Sequence, residues 1–194
     1  RVITCHLGNG SSIAAVKDGK CIDTSMGLTP LAGFEMGTRC GDIDPAIVPY
    51  LMKKENLTPD EIDTIMNKKS GLLGITGISS DFRDAEAAMN EGNERAKLGL
   101  DMFRYQIAKY IGSYVIALGG CDAIVFTAGI GENAIPVREK VVSYLGYLGV
   151  TLDKEANGVR GEEIVISTPD SKVKVAVIPT NEELAICRET VALV

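Results

Sequence analysis

One six-residue run, Asp122-Ala123-Ile124-Val125-Phe126-Thr127, narrows most what this chain can fold into. It is apolar and short, and helical periodicity stands on both sides of it, so it reads as a buried strand. A buried strand set between helices favours a parallel sheet, with ligands gathered near the carboxyl ends of the strands. The run ends in Ala128-Gly129-Ile130-Gly131-Glu132-Asn133, after which a helix is predicted to about Leu148.

The rest of the chain fits that frame. Residues 1–6 and 11–17 are β-rich and flank Leu7-Gly8-Asn9-Gly10, where Asn-Gly signals a hairpin because both residues tolerate positive φ. A second turn at Asp18-Gly19 leads to a third strand at about 20–25, giving an antiparallel meander. From about 44 to 118 the pattern is helical. Asp44-Pro45 reads as a cap with proline at the first helical position, and Thr58-Pro59-Asp60-Glu61 as a capping box. Ser80 or Asp81 caps a helix through about Asn90. The longest helix, from about Asn93 to Leu118, carries Phe103, Ile107, Tyr110, Ile111, Tyr114, Val115 and Leu118 as one apolar stripe. Two β-rich runs, 163–167 and 172–178, flank Pro169-Asp170, and Thr180-Asn181-Glu182-Glu183 opens a last helix with Glu183 as capping-box partner of Thr180. This order indicates a layered α/β domain. The chain starts without Met and directly in strand-like residues, so it is expected to be part of a longer polypeptide.

Composition excludes several classes. The net charge is −6 and no basic block occurs, so nucleic acid is not an expected partner and a bound polyanion should be small. Five scattered cysteines without a Cys-x-x-Cys pair, beside one histidine, argue against zinc and a disulfide framework and suit a reducing cytoplasm. No apolar run approaches the roughly 18 residues of a membrane span.

Five constellations could carry chemistry. His6-Leu7-Gly8-Asn9-Gly10-Ser11-Ser12 offers open backbone N–H groups and polar side chains to phosphate, or is a hairpin turn and nothing more. Gly129-Ile130-Gly131-Glu132-Asn133 stands where a strand hands over to a helix, a natural nucleotide position, but lacks the Gly-Lys-Ser/Thr of a P-loop. Arg39, between Gly37 and Gly41, suits bidentate binding of carboxylate or phosphate, or pairs with Asp42 or Asp44. Asp81-Phe82-Arg83 offers a carboxylate, an aromatic surface and a planar guanidinium, or is a helix cap with its first turn. Glu182 is an acid at a helix start, favoured there by the dipole in any protein.

The wording and order of these segments resemble the acetate kinases and related short-chain carboxylate kinases. Met26-Gly27-Leu28-Thr29-Pro30-Leu31 followed by Gly37-Thr38-Arg39-Cys40-Gly41-Asp42-Ile43-Asp44-Pro45 is similar to that family's long signature. His6 to Ser12, Ser70 to Gly74, Ser79 to Asp84, Ala128 to Asn133 and Thr180 to Leu184 resemble further family motifs, in family order along essentially the whole chain. The resemblance implies the ribonuclease-H-like fold shared by acetate and sugar kinases, Hsp70 and actin, and reversible, direct in-line phosphoryl transfer between ATP and acetate with Mg²⁺, giving ADP and acetyl phosphate. It implies that His6, Leu7, Gly8, Asn9 and Gly10 contact the ATP phosphates, and that Asp81, Phe82 and Arg83 lie at the adenosine. Gly129, Ile130, Gly131, Glu132 and Asn133 would wrap the nucleotide's other side, Arg39 would hold acetate or acetyl phosphate in the transition state, and Glu182 would help bind Mg²⁺.

By the same resemblance, residues 1–194 correspond to a C-terminal nucleotide-binding domain. Family members carry an entire N-terminal domain before the segment equivalent to His6, with further catalytic groups, a histidine among them. His6 is the only histidine here, so those roles have no local substitute, and the isolated chain is expected to be inactive. A homodimer formed through C-terminal domains is also implied. Alternatives are a propionate or butyrate kinase part, or a stand-alone nucleotide-binding or dimerisation module.

Overall fold

In the computed structural model, which describes all 194 residues, β1 (Val2–Leu7), β2 (Ser11–Lys17) and β3 (Lys20–Thr24) form the expected antiparallel meander. Both expected turns close antiparallel hairpins, with different backbones. Asp18 (φ 50°) and Gly19 (φ 76°) both take positive φ, as a tight two-residue hairpin requires. Neither Gly8, Asn9 nor Gly10 enters the left-handed region, so this connection is an open three-residue loop. Its backbone is therefore not consumed by a tight turn.

Five helices follow: α1 (Ile47–Glu55), α2 (Pro59–Lys68), α3 (Gly71–Thr76), α4 (Phe82–Asn90) and α5 (Glu94–Leu118). The capping box of α2 forms as predicted between Thr58 and Glu61, and Asp81 and Asn93 cap α4 and α5. Helix α1 starts later than expected, because Asp44 accepts from the Ala46 N–H and spends Asp44–Ala46 in a turn. On α5, Phe103, Ile107, Ile111, Tyr114 and Leu118 of the predicted stripe are buried, while Tyr110 and Val115 lie at its edge.

Strand β4 (Ala123–Thr127) then enters parallel to β1, and β6 (Lys174–Val177) parallel to β4, with β5 (Ile164–Val165) antiparallel at the edge. The six-stranded order is β3-β2-β1-β4-β6-β5. Register aligns the buried residues: Ile3 faces Ala15 and Ile124, Cys5 faces Ile13 and Phe126, and Ile124 and Phe126 face Val175 and Val177. All of these are buried on one face, where α5 and α7 (Ile135–Ser143) supply the opposing apolar side chains. The helix predicted after Asn133 to Leu148 is two pieces, α7 with Pro136 in its first turn and a 3-10 turn at Gly146–Leu148, and the glycine segment before it is itself a short helix, α6 (Ala128–Asn133). The last helix, α8 (Glu182–Leu193), buries none of its residues. Its cap is Asn181, accepting from the Leu184 N–H, so the expected Thr180–Glu183 box does not form. No helix is long and apolar enough to cross a membrane.

The segment between β3 and α1 has no regular structure and is held by specific contacts. Gly41 (φ 68°) passes so close to the Phe34 backbone that a Cβ would sit 2.5 Å away. Asp42 accepts from the Gly33 N–H at 3.0 Å and from the Tyr110 hydroxyl. Between them lies Glu35, whose N–H donates to Gln106 Oε1 at 2.7 Å and whose carboxyl oxygens are buried without a hydrogen-bond partner. Burial disfavours the carboxylate and pushes its pKa up to about 8. The unfolded chain loses this proton near pH 4.3, whereas the native chain keeps it to about pH 8. Stability is therefore predicted to fall as pH rises through that window, by up to about 1.4 kcal/mol per pH unit from this group. Glu35→Gln should flatten that slope in urea titrations. An unchanged slope would mean that Glu35 is ionised in the native state.

Candidate functional site

Parallel pairing of β1 with β4 sets His6 opposite Thr127, so the segments leaving the two strands emerge side by side. His6, Gly129, Glu132 and Glu182 line one open cavity of about 390 Å³, together with Ala128, Thr180, Asn181 and Glu183. Three of its eight lining residues are glutamates and none is lysine or arginine. Bare polyanions would be repelled here. A divalent cation carried by phosphates would offset that repulsion. No group of three or more His, Cys, Asp or Glu side chains is gathered to hold a metal ion.

The open loop after β1 links this cavity to Arg39. A Cβ on Gly8 would lie 3.8 Å from Ala128 Cβ, and one on Gly10 only 2.7 Å from Arg39 Nη1. The Gly37 N–H donates to the Asn9 carbonyl at 3.0 Å, and any side chain at Gly37 would strike Asn9 Oδ1 and come within 3.1 Å of the Ser80 carbonyl. Segments 8–10, 37–39 and 80–81 are thus stacked in contact, far apart in sequence. Arg39 is half-buried and makes no ion pair: its nearest acceptors are the Pro30 carbonyl at 3.5 Å and Met36 Sδ at 3.9 Å. The alternative of pairing with Asp42 or Asp44 fails, because those carboxylates are engaged by Gly33, Tyr110 and Ala46. A guanidinium held beside a glycine loop without a carboxylate keeps its bidentate face for a ligand.

Other expected residues divide into backbone and side-chain contributors. Leu7 is fully buried, so only its main chain can face a ligand, and Asn9 is exposed. Phe82 is in the core, its ring 4.4 Å from that of Phe103, and offers no aromatic surface to a ligand. Asp81 caps α4 and is bound by Arg83 at 2.6 Å, which holds its carboxyl at a pKa of about 2. Arg83 alone of the three projects into solvent.

The glycine segment after β4 is a short helix rather than a turn. Gly131 allows α6 to press on the sheet, since a Cβ there would already lie 3.4 Å from the Phe126 carbonyl carbon. Gly129 has open space, Ile130 packs against the core, and Asn133 donates back to the Gly129 carbonyl at 2.9 Å. The feature that sequence reasoning missed is Ala128, which enters α6 with φ 63°. The Thr180 hydroxyl accepts from its N–H at 3.1 Å and lies 2.6 Å from Thr127 Oγ1, while Glu132 Oε1 accepts from the Thr180 N–H at 2.9 Å. These bonds fasten the start of α8 to α6. No periodicity or spacing could have signalled them. Left-handed backbone costs alanine about 1 kcal/mol that glycine does not bear. Ala128→Gly is therefore predicted to be neutral or to gain up to about 1 kcal/mol in urea unfolding, against the loss usual for Ala→Gly in a helix. A loss of the usual size would show that Ala128 is unstrained.

Residues 1–188 match the model of the acetokinase family. The chain is 64% identical over its whole length to the acetate kinase of Lachnoclostridium phytofermentans, covering 49% of that protein, and 60% identical to that of Methanosarcina thermophila, covering 48%. Among solved structures, Porphyromonas gingivalis acetate kinase superposes with a TM-score of 0.96 at 50% identity, over 99% of this chain and 48% of that one. A propionate kinase from Francisella tularensis superposes at 0.89 with 47% identity, over 95% of this chain and 47% of that one. The chain spans about half the length of the curated relatives it matches. Its sheet of mixed direction with helices is the fold of these kinases, within the acetate and sugar kinase, Hsp70 and actin superfamily. With the family model matched over nearly its full length, the chain belongs to the acetokinase family.

Proposed function

We propose that this chain is the nucleotide-binding, C-terminal half of an ATP:acetate phosphotransferase, and that the intact protein interconverts ATP and acetate with ADP and acetyl phosphate. The acid-lined cavity at the paired ends of β1 and β4, with Arg39 held free across the glycine loop, is the observation that carries this reading. Main-chain N–H groups from His6 to Gly10 and the exposed Gly129 would face the phosphates of Mg²⁺-ATP, with Glu182 and a water shell on the metal. Bound Mg²⁺ would supply charge neutralisation on the phosphates. Arg83 would reach the adenosine, and Asp81 would orient it. The acceptor carboxylate is ionised at neutral pH and needs no general base. Arg39 would align it and neutralise charge on the equatorial oxygens during in-line transfer.

Transfer would also need groups from the other half of the protein, since one charge-stabilising arginine alone is worth about 10³–10⁵ in rate in related reactions. Pairing as a homodimer and residence in a reducing cytoplasm belong to the same reading; the five free thiols suit the latter. Similarity to a propionate kinase supports a second reading in which the acceptor is a longer acyl chain, but the relatives with 60–64% identity quoted above are acetate kinases. Calorimetric titration of the chain with ATP tests the proposal. Binding is predicted with Mg²⁺ present, at least tenfold weaker in EDTA, and without acetyl phosphate formation. Tighter binding in EDTA would contradict the acid-wall argument. Turnover by the chain alone would contradict the half-site reading and favour a complete module.

A further inference from the structure

The largest fully buried side chain in the protein is a cation, Arg138 on α7, and no carboxylate pairs with it. A buried charge without a counter-charge is costly, and it persists only where its donors are met by well-placed acceptors. Here Nε donates to Asn157 Oδ1 at 2.8 Å. Nη1 donates to the carbonyls of Gly131 at 2.9 Å and Glu132 at 2.7 Å, and Nη2 to those of Asn157 at 2.7 Å and Val159 at 2.9 Å. Gly131 and Glu132 end α6, where helix carbonyls lack partners along the chain. The planar fork of arginine lets one side chain cap α6 and grip 157–159 at once. The point charge of lysine does not match that geometry.

Helix α6 rests on the sheet through Gly131 and on the core through Ile130, contacts that leave its ends to be fixed by hydrogen bonds. It is six residues long and opens on the left-handed Ala128, a conformation that persists only when its surroundings enforce it. Arg138 holds its carboxyl end. The side chain of Glu132, whose carbonyl Arg138 grips, then accepts from the Thr180 N–H, and the Thr180 hydroxyl accepts from the Ala128 N–H. The bonds run from Arg138 through α6 to the residues just before Glu182.

We propose that Arg138 is a positioning residue for the nucleotide site: its five bonds set the orientation of α6, and through Glu132 and Thr180 they hold Gly129 and Glu182 in the lining of one cavity. The proposal rests on the nucleotide reading above for its function, while its structural part stands without ligand.

The test compares Arg138→Lys and the milder Asn157→Ala with Val141→Ala, a truncation of a fully buried core residue on the same helix. Two quantities are read on each chain: amide hydrogen exchange without ligand, and Mg²⁺-ADP affinity by calorimetry. In Arg138→Lys, exchange at residues 129–133 and at the Thr180 amide should quicken at least about tenfold relative to β1 and β4, and affinity should weaken about tenfold. Asn157→Ala should move both in the same direction by less, and it decides the matter if Arg138→Lys does not fold. Val141→Ala should lower stability while leaving the ratio of α6 to sheet exchange and the affinity unchanged. Unchanged α6 exchange in both clamp variants, or equal loosening in Val141→Ala, overturns the proposal. If the unsubstituted chain binds no Mg²⁺-ADP, the nucleotide reading falls, while the exchange data still decide whether Arg138 positions α6.

Discussion

Parallel pairing of β1 with β4 is the constraint on which the rest of the structure depends. It joins residues more than a hundred positions apart, and its register puts His6 beside Thr127. Side chains alternate along a strand, so one register both buries Ile3, Cys5, Ile124 and Phe126 together and sends two irregular segments out at the same sheet end. A slip by one residue would turn the apolar set outward and separate the glycine loop from α6. The hydrophobic core and the cavity are thus consequences of the same pairing.

Charge determines what that cavity can hold. Glutamates line its wall, while the free guanidinium stands across the loop at Gly10. In the proposed reading, a cation-carrying phosphate chain would occupy the first environment and a carboxylate or transferring phosphoryl group the second. Stabilisation of this kind depends on donors fixed before the ligand arrives. The bond from the Ala128 N–H to the Thr180 hydroxyl and those from Arg138 to α6 fix such donors without any ligand.

Local signals were legible in the sequence where local physics decides. The Thr58 box, the caps at Asp81 and Asn93, the α5 stripe and the β6 alternation each follow from spacing within one element. Asn9-Gly10 does mark the hairpin between β1 and β2, but the loop spans three residues and neither Asn9 nor Gly10 takes positive φ, with the Gly37 N–H donating to the Asn9 carbonyl. Phe82 reads from sequence as a surface for a ligand, yet the ring of Phe103 from α5 claims it. Thr180 is a plausible cap until tertiary structure gives its hydroxyl a better partner at Ala128. Contacts between distant segments, such as Gly10 with Arg39, leave no trace in the pattern of either segment.

One nucleotide site is proposed where β1, β4 and the start of α8 meet. Backbone amide shifts of the isotope-labelled chain, followed during Mg²⁺-ADP titration, test it most directly. The largest changes are predicted to cluster at residues 6–10, 128–133 and 180–183, with a smaller response at 37–41. Changes centred instead on α2, or on the cleft beside Glu35, would place the ligand elsewhere and contradict it.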